Sequence, residues 1–232
     1  MSSAASTAGA SSGGTAPRGR AAAGTGVTVL ALLAIGHCAV DLYSSALSIF
    51  QPLLVSRLGL SLTQAGILGG LMVFSSSVMQ PAYGFLSDRF RSRMFTVLAP
   101  AMAAVFISAV GLAPGFGWVA VLIALGGAGV ASFHPQASAR VTLGVKANRG
   151  RWMAVFVSGG TLGFALGPLF FTSLIGAVGF ENAWVGALPG VAVTLALWAR
   201  LPAETPPARP ERRGFDWRAL HAVRRPLFIL YM

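Results

Sequence analysis

His37, Asp41, Ser44 and Ser48 recur at spacings of four, three and four, which sets them on one face of a helix. They interrupt a long apolar run, where an ionisable group is rare and ordinarily faces a cavity or a partner. Counted at ~1.5 Å per residue from Val27, His37 and Asp41 fall roughly 15 and 21 Å into a bilayer, around and just past its midplane. The chemistry open to such a pair is reversible protonation. Asp41 and His37 are therefore candidate proton-coupling residues, with Ser44 and Ser48 beside them as candidate substrate contacts. The alternative is a local His–Asp pair that satisfies itself and only fixes helix packing.

A second polar string lies further on, Ser132-Phe133-His134-Pro135-Gln136. Ser132 and Gln136 share a helical face, and His134 lies on another, in register with Ser138. Pro135 has no N–H, which frees a carbonyl one turn earlier for a ligand or water. Ser132, His134 and Gln136 are further cavity candidates, against the alternative of a bent helix with a hydrogen-bonded histidine. Gly159, Gly163 and Gly167 repeat every four residues and are followed by Pro168, a pattern that lets two helices approach closely and then bend. The one cysteine, Cys38, supports neither a disulfide framework nor a cysteine-based metal site. No metal and no cofactor is expected. An intramembrane metallohydrolase would need a His-Glu-x-x-His string, which does not occur, and the chain is not expected to be an enzyme.

These residues need elements that hold them within a membrane. Hydrophobic residues make up 55% of the chain and charged ones only 10%, far from the quarter charged of a soluble domain. Apolar runs predict spans at Val27–Phe50, Leu62–Leu86, Met94–Ala113, Trp118–Arg140, Met153–Val178 and Ala183–Leu201. Each is near the ~20 residues with which a helix crosses the hydrocarbon. Helices satisfy their own backbone, and the alternating ten-residue strands of a membrane barrel are missing. Ser61 before Leu62 and Gln64 has the form of a helix cap.

Charge orients the bundle. Sixteen of the seventeen basic residues fall in the N-terminal segment, in the second and fourth connections, or after the sixth run, and only Arg57 lies elsewhere. Lys and Arg beside spans stay in the cytoplasm, which predicts a cytoplasmic N-terminus for a multi-pass membrane protein, expected in a bacterial inner membrane. The same placement explains the net charge of +11 without a nucleic-acid partner, which would need a basic soluble face. Residues 1–26, rich in Ser, Ala and Gly with no acidic residue, are expected to be a disordered cytoplasmic tail. Residues 27–201 form the bundle, and residues 202–224 a proline-rich cytoplasmic linker with a short interfacial helix near Phe215–Val223. Residues 225–232 read as the start of a seventh span, so the chain is expected to be the first half of a longer protein.

One string is more specific than the rest: Gly84-Phe-Leu-Ser-Asp88-Arg89-Phe-Arg-Ser-Arg93, placed in the turn between the second and third spans. It resembles the signature of the major facilitator superfamily, G-x-L-[SA]-D-R-x-G-R-[RK]. Arg91 replaces the second glycine and Ser92 an arginine, while Gly84, Asp88, Arg89 and Arg93 keep their places. The glycine-rich fifth span ending Gly167-Pro168 is similar to a motif of the family's drug/proton antiporters. Gly36-His37-x-x-x-Asp41, Leu60-Ser-Leu-Thr-Gln64, Gln80-Pro81 and Phe133-His134-Pro135-Gln136-Ala137 resemble the fosmidomycin-resistance-type efflux branch. Where that branch commonly has a glutamate this chain has Gln136, so no carboxylate role is carried over there. The arginine found in span four of many antiporters is also missing.

The resemblance implies an all-α polytopic fold, six helices forming the N-terminal half of a transporter whose C-terminal half lies beyond this sequence. It implies a central cavity lined in part by spans one and four, alternating access, and a gating role for the string at Asp88. The function expected is proton-coupled efflux of small anionic or amphipathic antimicrobials, conferring drug resistance, with protons, substrate and the lipid bilayer as partners. Two alternatives stand beside it. One is an uptake symporter for a sugar, organic acid or other metabolite, and the other a non-transporting half-protein that serves binding or assembly.

Overall fold

The computed structural model describes residues 18–90, 92–142 and 148–202. Residues 1–17 of the expected tail, Arg91, Lys146, and the expected linker and seventh span beyond Pro202 lie outside the described residues. Among the described residues the fold is entirely helical, and six helical stretches are long and apolar enough to cross a membrane: Val27–Leu58, Leu62–Phe90, Met94–Leu112, Phe116–Thr142, Arg149–Val178 and Phe180–Arg200.

The first span consists of α1 (Arg18–Ser44) and α2 (Leu47–Leu58). The helix thus starts at Arg18, inside the expected tail, and continues past the expected end at Phe50. Arg57 therefore belongs to the last turn of α2 and not to a connection. What stops α2 is Gly59, whose left-handed φ of 62° lets its N–H close on the Val55 carbonyl. The break between α1 and α2 has a local cause. Ser44 donates to the Asp41 carbonyl (2.9 Å), Ser45 to Leu42 (3.0 Å) and Ser48 to Ser45 (2.7 Å), and hydroxyls that bond back three residues bend a helix. Pro52, with no N–H to donate, extends the irregularity.

At Ser61 the cap is a full capping box. Ser61 Oγ accepts from the Gln64 N–H (3.1 Å), and Gln64 Oε1 accepts from the Ser61 N–H (2.9 Å). The second span then runs through α3 (Leu62–Val73), one widened π turn over Phe74–Val78, and α4 (Gln80–Phe90). Pro81 cannot donate a backbone bond, and the Gln80 side chain covers the Ser76 carbonyl at 3.0 Å. Third and fourth spans are α5 (Met94–Ser108), closing in a 3₁₀ turn to Leu112, and α6 (Phe116–Thr142). The fifth is α7 (Arg149–Val178), and the sixth is a 3₁₀ segment over Phe180–Ala187 that leads into α8 (Leu188–Arg200).

Two seams hold the bundle. On α7, a Cβ added at Gly159 would strike the backbone of Ala34, one at Gly163 that of Cys38, and one at Gly167 that of Leu42. Ala34, Cys38 and Leu42 are themselves four apart, so two rows of equal pitch interlock, and only glycine permits the approach. Tyr43 supplies the second tie, donating to the Gly186 carbonyl (2.8 Å) and accepting from the Gly190 N–H (3.0 Å), which fastens span one to span six. Tyr43, Phe50 and Phe171 fill the interior edge-to-face, whereas Leu169, Leu195 and Trp198 point outward as a lipid-facing surface should.

Candidate functional site

The polar face of α1 meets α6. His37 and Asp41 pair at 3.2 Å between Nε2 and Oδ2, as their i, i+4 spacing predicts. The other carboxylate oxygen faces a residue 93 positions later: His134 Nε2 lies 3.3 Å from Asp41 Oδ1. Both rings are also held from behind. His37 Nδ1 donates to the Phe156 carbonyl (2.9 Å), and His134 Nδ1 to the Val130 carbonyl (2.8 Å). His37 further stacks on Phe156 at 4.3 Å and meets His134 edge-on at 4.9 Å. The three side chains bring ligating atoms within 4.8 Å of one another, the one such His/Asp/Glu/Cys group among the described residues. His37 is buried at 8% side-chain exposure, while Asp41 and His134, at 18% and 22%, reach open space.

That space is a cavity of about 520 Å³ between spans one, two, four and five. Asp41, Ser44 and Ser48 line it from α1 and α2, Ser76, Ser77 and Gln80 from the second span, and His134 and Pro168 from spans four and five. The π turn has a purpose here: it carries Ser76 and Ser77 onto the wall. Many of the wall's donors are already committed to backbone. Ser44, Ser45 and Ser48 bond within α1 and α2, Ser76 bonds to Met72 (2.7 Å), Gln51 to Ala65 (2.6 Å) and Gln80 to Ser76. Their oxygens are left as acceptors, so the wall is rich in lone pairs.

The remaining sequence candidates sit elsewhere. Ser132 and Gln136 do not line this cavity; they turn the opposite way, into the seam with α5. Gln136 Oε1 accepts from both the N–H (3.0 Å) and the hydroxyl of Thr96, and its Nε2 donates to the Ser92 carbonyl (2.8 Å). Ser132 donates to the Gly129 carbonyl (2.8 Å). Gly84–Phe90 of the string is the end of α4, so Asp88 and Arg89 are on helix, while Ser92 and Arg93 lie in the connection to α5. Gly84 packs there against Pro135 of α6, where an added Cβ would lie 3.4 Å from the ring. Asp88 and Arg89 are exposed at the helix end, and Arg93 donates to the backbone carbonyl of Leu201 at the end of span six. One residue the sequence gave no cause to select is Gly160. A Cβ there would run into His37 Nε2 and Asp41 Oδ2, so this glycine makes room for the cluster.

Six apolar helices around a polar, partly buried ionisable cluster that opens on a cavity define an integral, multi-pass membrane protein. Residues 33–232 match the family model described as Major Facilitator Superfamily, and the chain belongs to that family, one of transporters rather than enzymes. It is 28% identical over 161 residues to the fosmidomycin resistance protein of Escherichia coli (strain K12), covering 69% of this chain and 40% of that protein. It is also 28% identical over 173 residues to YfnC of Bacillus subtilis (strain 168), an uncharacterised MFS-type transporter, covering 73% of this chain and 42% of the relative. The chain thus spans about two fifths of the length of the relatives it matches.

Proposed function

We propose that this chain supplies one half of a secondary transporter that exports small molecules in exchange for protons by alternating access. The observation that carries the reading is the His37–Asp41–His134 cluster, which lies at the wall of a chamber framed by spans one, two, four and five. Asp41 is the coupling group: it takes up and releases a proton, with His37 one turn earlier on α1 and His134 of α6 each against one of its carboxylate oxygens. A second bundle would close the chamber from the other side, and the two would rock about it. Asp88, Arg89 and Arg93 act as the latch at the cytoplasmic end, and the protein sits in a bacterial inner membrane with its N-terminus inside.

The efflux direction draws support from the glycine row of α7 and from the name of the Escherichia coli relative. The acceptor-rich wall suits cargo that donates hydrogen bonds, in contrast to the anionic cargo expected from sequence. The test uses inverted vesicles containing the full-length transporter. A proton gradient drives accumulation of a panel of amine-bearing and anionic antimicrobials in wild type, and Asp41→Asn reduces it at least tenfold. Proton-driven exchange that persists unchanged in Asp41→Asn removes Asp41 from the coupling step.

A further inference from the structure

Asp41 stands between two imidazoles whose outer nitrogens are already engaged. The Phe156 and Val130 carbonyls can only accept, so each ring carries a proton on Nδ1. In a neutral ring this leaves a lone pair on Nε2, and both Nε2 atoms aim at the Asp41 carboxylate. Three acceptors then converge with no donor among them. An arrangement of this kind is satisfied by a proton on a ring or on the carboxylate, or by a metal ion held among the three.

Separations discriminate between the cations available. A proton shared by an imidazolium and a carboxylate makes a charge-assisted bond of ~2.7–2.9 Å. Ligands held ~2.0–2.1 Å from a tetrahedral metal ion are instead about 3.3 Å apart along an edge. The two contacts measure 3.2 and 3.3 Å. Both exceed the charge-assisted range; each ring faces its own carboxylate oxygen, and the three ligating groups lie within 4.8 Å of one another, close enough to close on one ion.

The surroundings agree with the spacing. Metal-binding histidines hand their second N–H to a carbonyl or carboxylate, which fixes tautomer and ring orientation, and both rings do so here. Gly160 keeps the cluster clear of a side chain from α7. The chamber gives an entry path on the Asp41 and His134 side, with the hydroxyl oxygens of Ser44 and Ser48 available to accept from metal-bound water.

We propose that His37, Asp41 and His134 form a binding site for one divalent transition-metal cation of the zinc class. The protein supplies three ligand side chains and leaves an open coordination position toward the chamber. Imidazole with one carboxylate favours zinc, cobalt or nickel over magnesium and calcium, which take all-oxygen shells. By joining α1 to α6, the bound ion locks the wall of the chamber. Nothing in this assignment depends on what the chamber transports or in which direction.

The test is metal binding to the purified, chelator-treated protein in detergent, without a polyhistidine tag and with His221→Gln, since the chain has three histidines in all. Zn²⁺ is titrated calorimetrically, and Co²⁺ serves as the spectroscopic probe. One ion per chain, a tetrahedral Co²⁺ absorption and no competition from Mg²⁺ are expected. His134→Gln and Asp41→Asn each weaken binding at least about tenfold, the loss that follows even when only an outer partner is removed. His134→Cys, which keeps a ligand in place, restores binding and adds a thiolate-to-cobalt band. The site is overturned if the protein takes up no stoichiometric Zn²⁺, or if both ligand variants bind as wild type does. Proton-driven export lost in Asp41→Asn without any Zn²⁺ binding in wild type overturns the metal site alone; stoichiometric Zn²⁺ binding with export indifferent to Asp41 overturns the coupling role alone.

Discussion

Two faces of α6 carry polar side chains two residues apart, and they solve opposite problems. Gln136 is buried toward α5, where its oxygen accepts twice from Thr96 and its amide donates to Ser92. Donors and acceptors match there, and a matched network in a low dielectric rigidifies the contact. His134 faces the chamber, with its outer nitrogen fixed and its inner one set against a carboxylate that already faces His37. Here acceptors outnumber donors. Of two polar clusters on opposite faces of one helix, the matched one acts as glue between helices, while the one whose acceptors face one another is, on the proposals above, where an exchangeable cation belongs.

Substitutions on the two faces separate these roles. The largest effect is expected from Asp41→Asn, which removes the charge around which the chamber cluster is built. Proton-driven export falls at least tenfold while the amount of folded protein in the membrane is unchanged. Gly160→Ala comes next, because its methyl group would collide with His37 and Asp41 although no charge is altered. The overlap is with side-chain ends rather than backbone, so those groups are displaced, export drops severalfold, and the loss of melting temperature is smaller than where backbone must move. Gly163→Ala is the control on the same helix, since its methyl meets the Cys38 backbone and lowers stability by about 1–3 kcal/mol. Equal losses of stability in the two alanine variants would erase the distinction between making room for the cluster and packing α7.

Gln136→Leu probes the opposite face. It leaves the Thr96 N–H and hydroxyl and the Ser92 carbonyl without this partner, at a cost of about 1–3 kcal/mol. Export per folded molecule stays at the wild-type level. Thermal unfolding in detergent, read beside vesicle transport, checks both halves. A Gln136→Leu protein as stable as wild type but unable to export would reverse the assignment of the two faces.

Helical periodicity made the α1 face legible, because His37, Asp41, Ser44 and Ser48 need only a pitch of 3.6 to fall together. The same reasoning grouped Ser132 with Gln136 and set His134 apart. What it lacked was the rotation of α6 about its axis, which decides the face that meets the chamber. That rotation is set by Gly126 and Gly129, where an added Cβ would strike Ile107 and the Ala103 backbone of α5. Ser132 and Gln136 continue the row of Gly129 at spacings of three and four, but Gly127 stands in the same relation to Val130 and His134, so the glycines alone could not choose between the two faces. Span ends were less legible. Arg57 and the Gly84–Phe90 string are polar enough to look like connections, yet helices lengthen past the hydrocarbon until a stop such as Gly59 intervenes. The His134–Asp41 contact itself, 93 residues apart, had no local signature at all.

Arg57 calibrates the comparison at its weak end. It is the basic residue set apart from the other sixteen, and it sits at the rim of the bundle. There it donates to the Gly111 carbonyl (2.7 Å), lies 3.5 Å from Glu181 and covers the Phe180 ring at 5.9 Å. Its charges are of the same kind as those in the chamber, but the pair is 37% and 64% exposed. Water screens such a pair to about 0–1 kcal/mol, so Glu181→Gln should shift the melting temperature barely at all. Arg57→Ala should cost somewhat more, because the bond to Gly111 and the contact with Phe180 tie α2 to the end of the third span and the start of the sixth. The difference between these two variants in a melting experiment isolates the backbone tie from the ion pair. If Glu181→Gln destabilises as much as Gln136→Leu, burial is not what separates the strong polar contacts of this bundle from the weak ones.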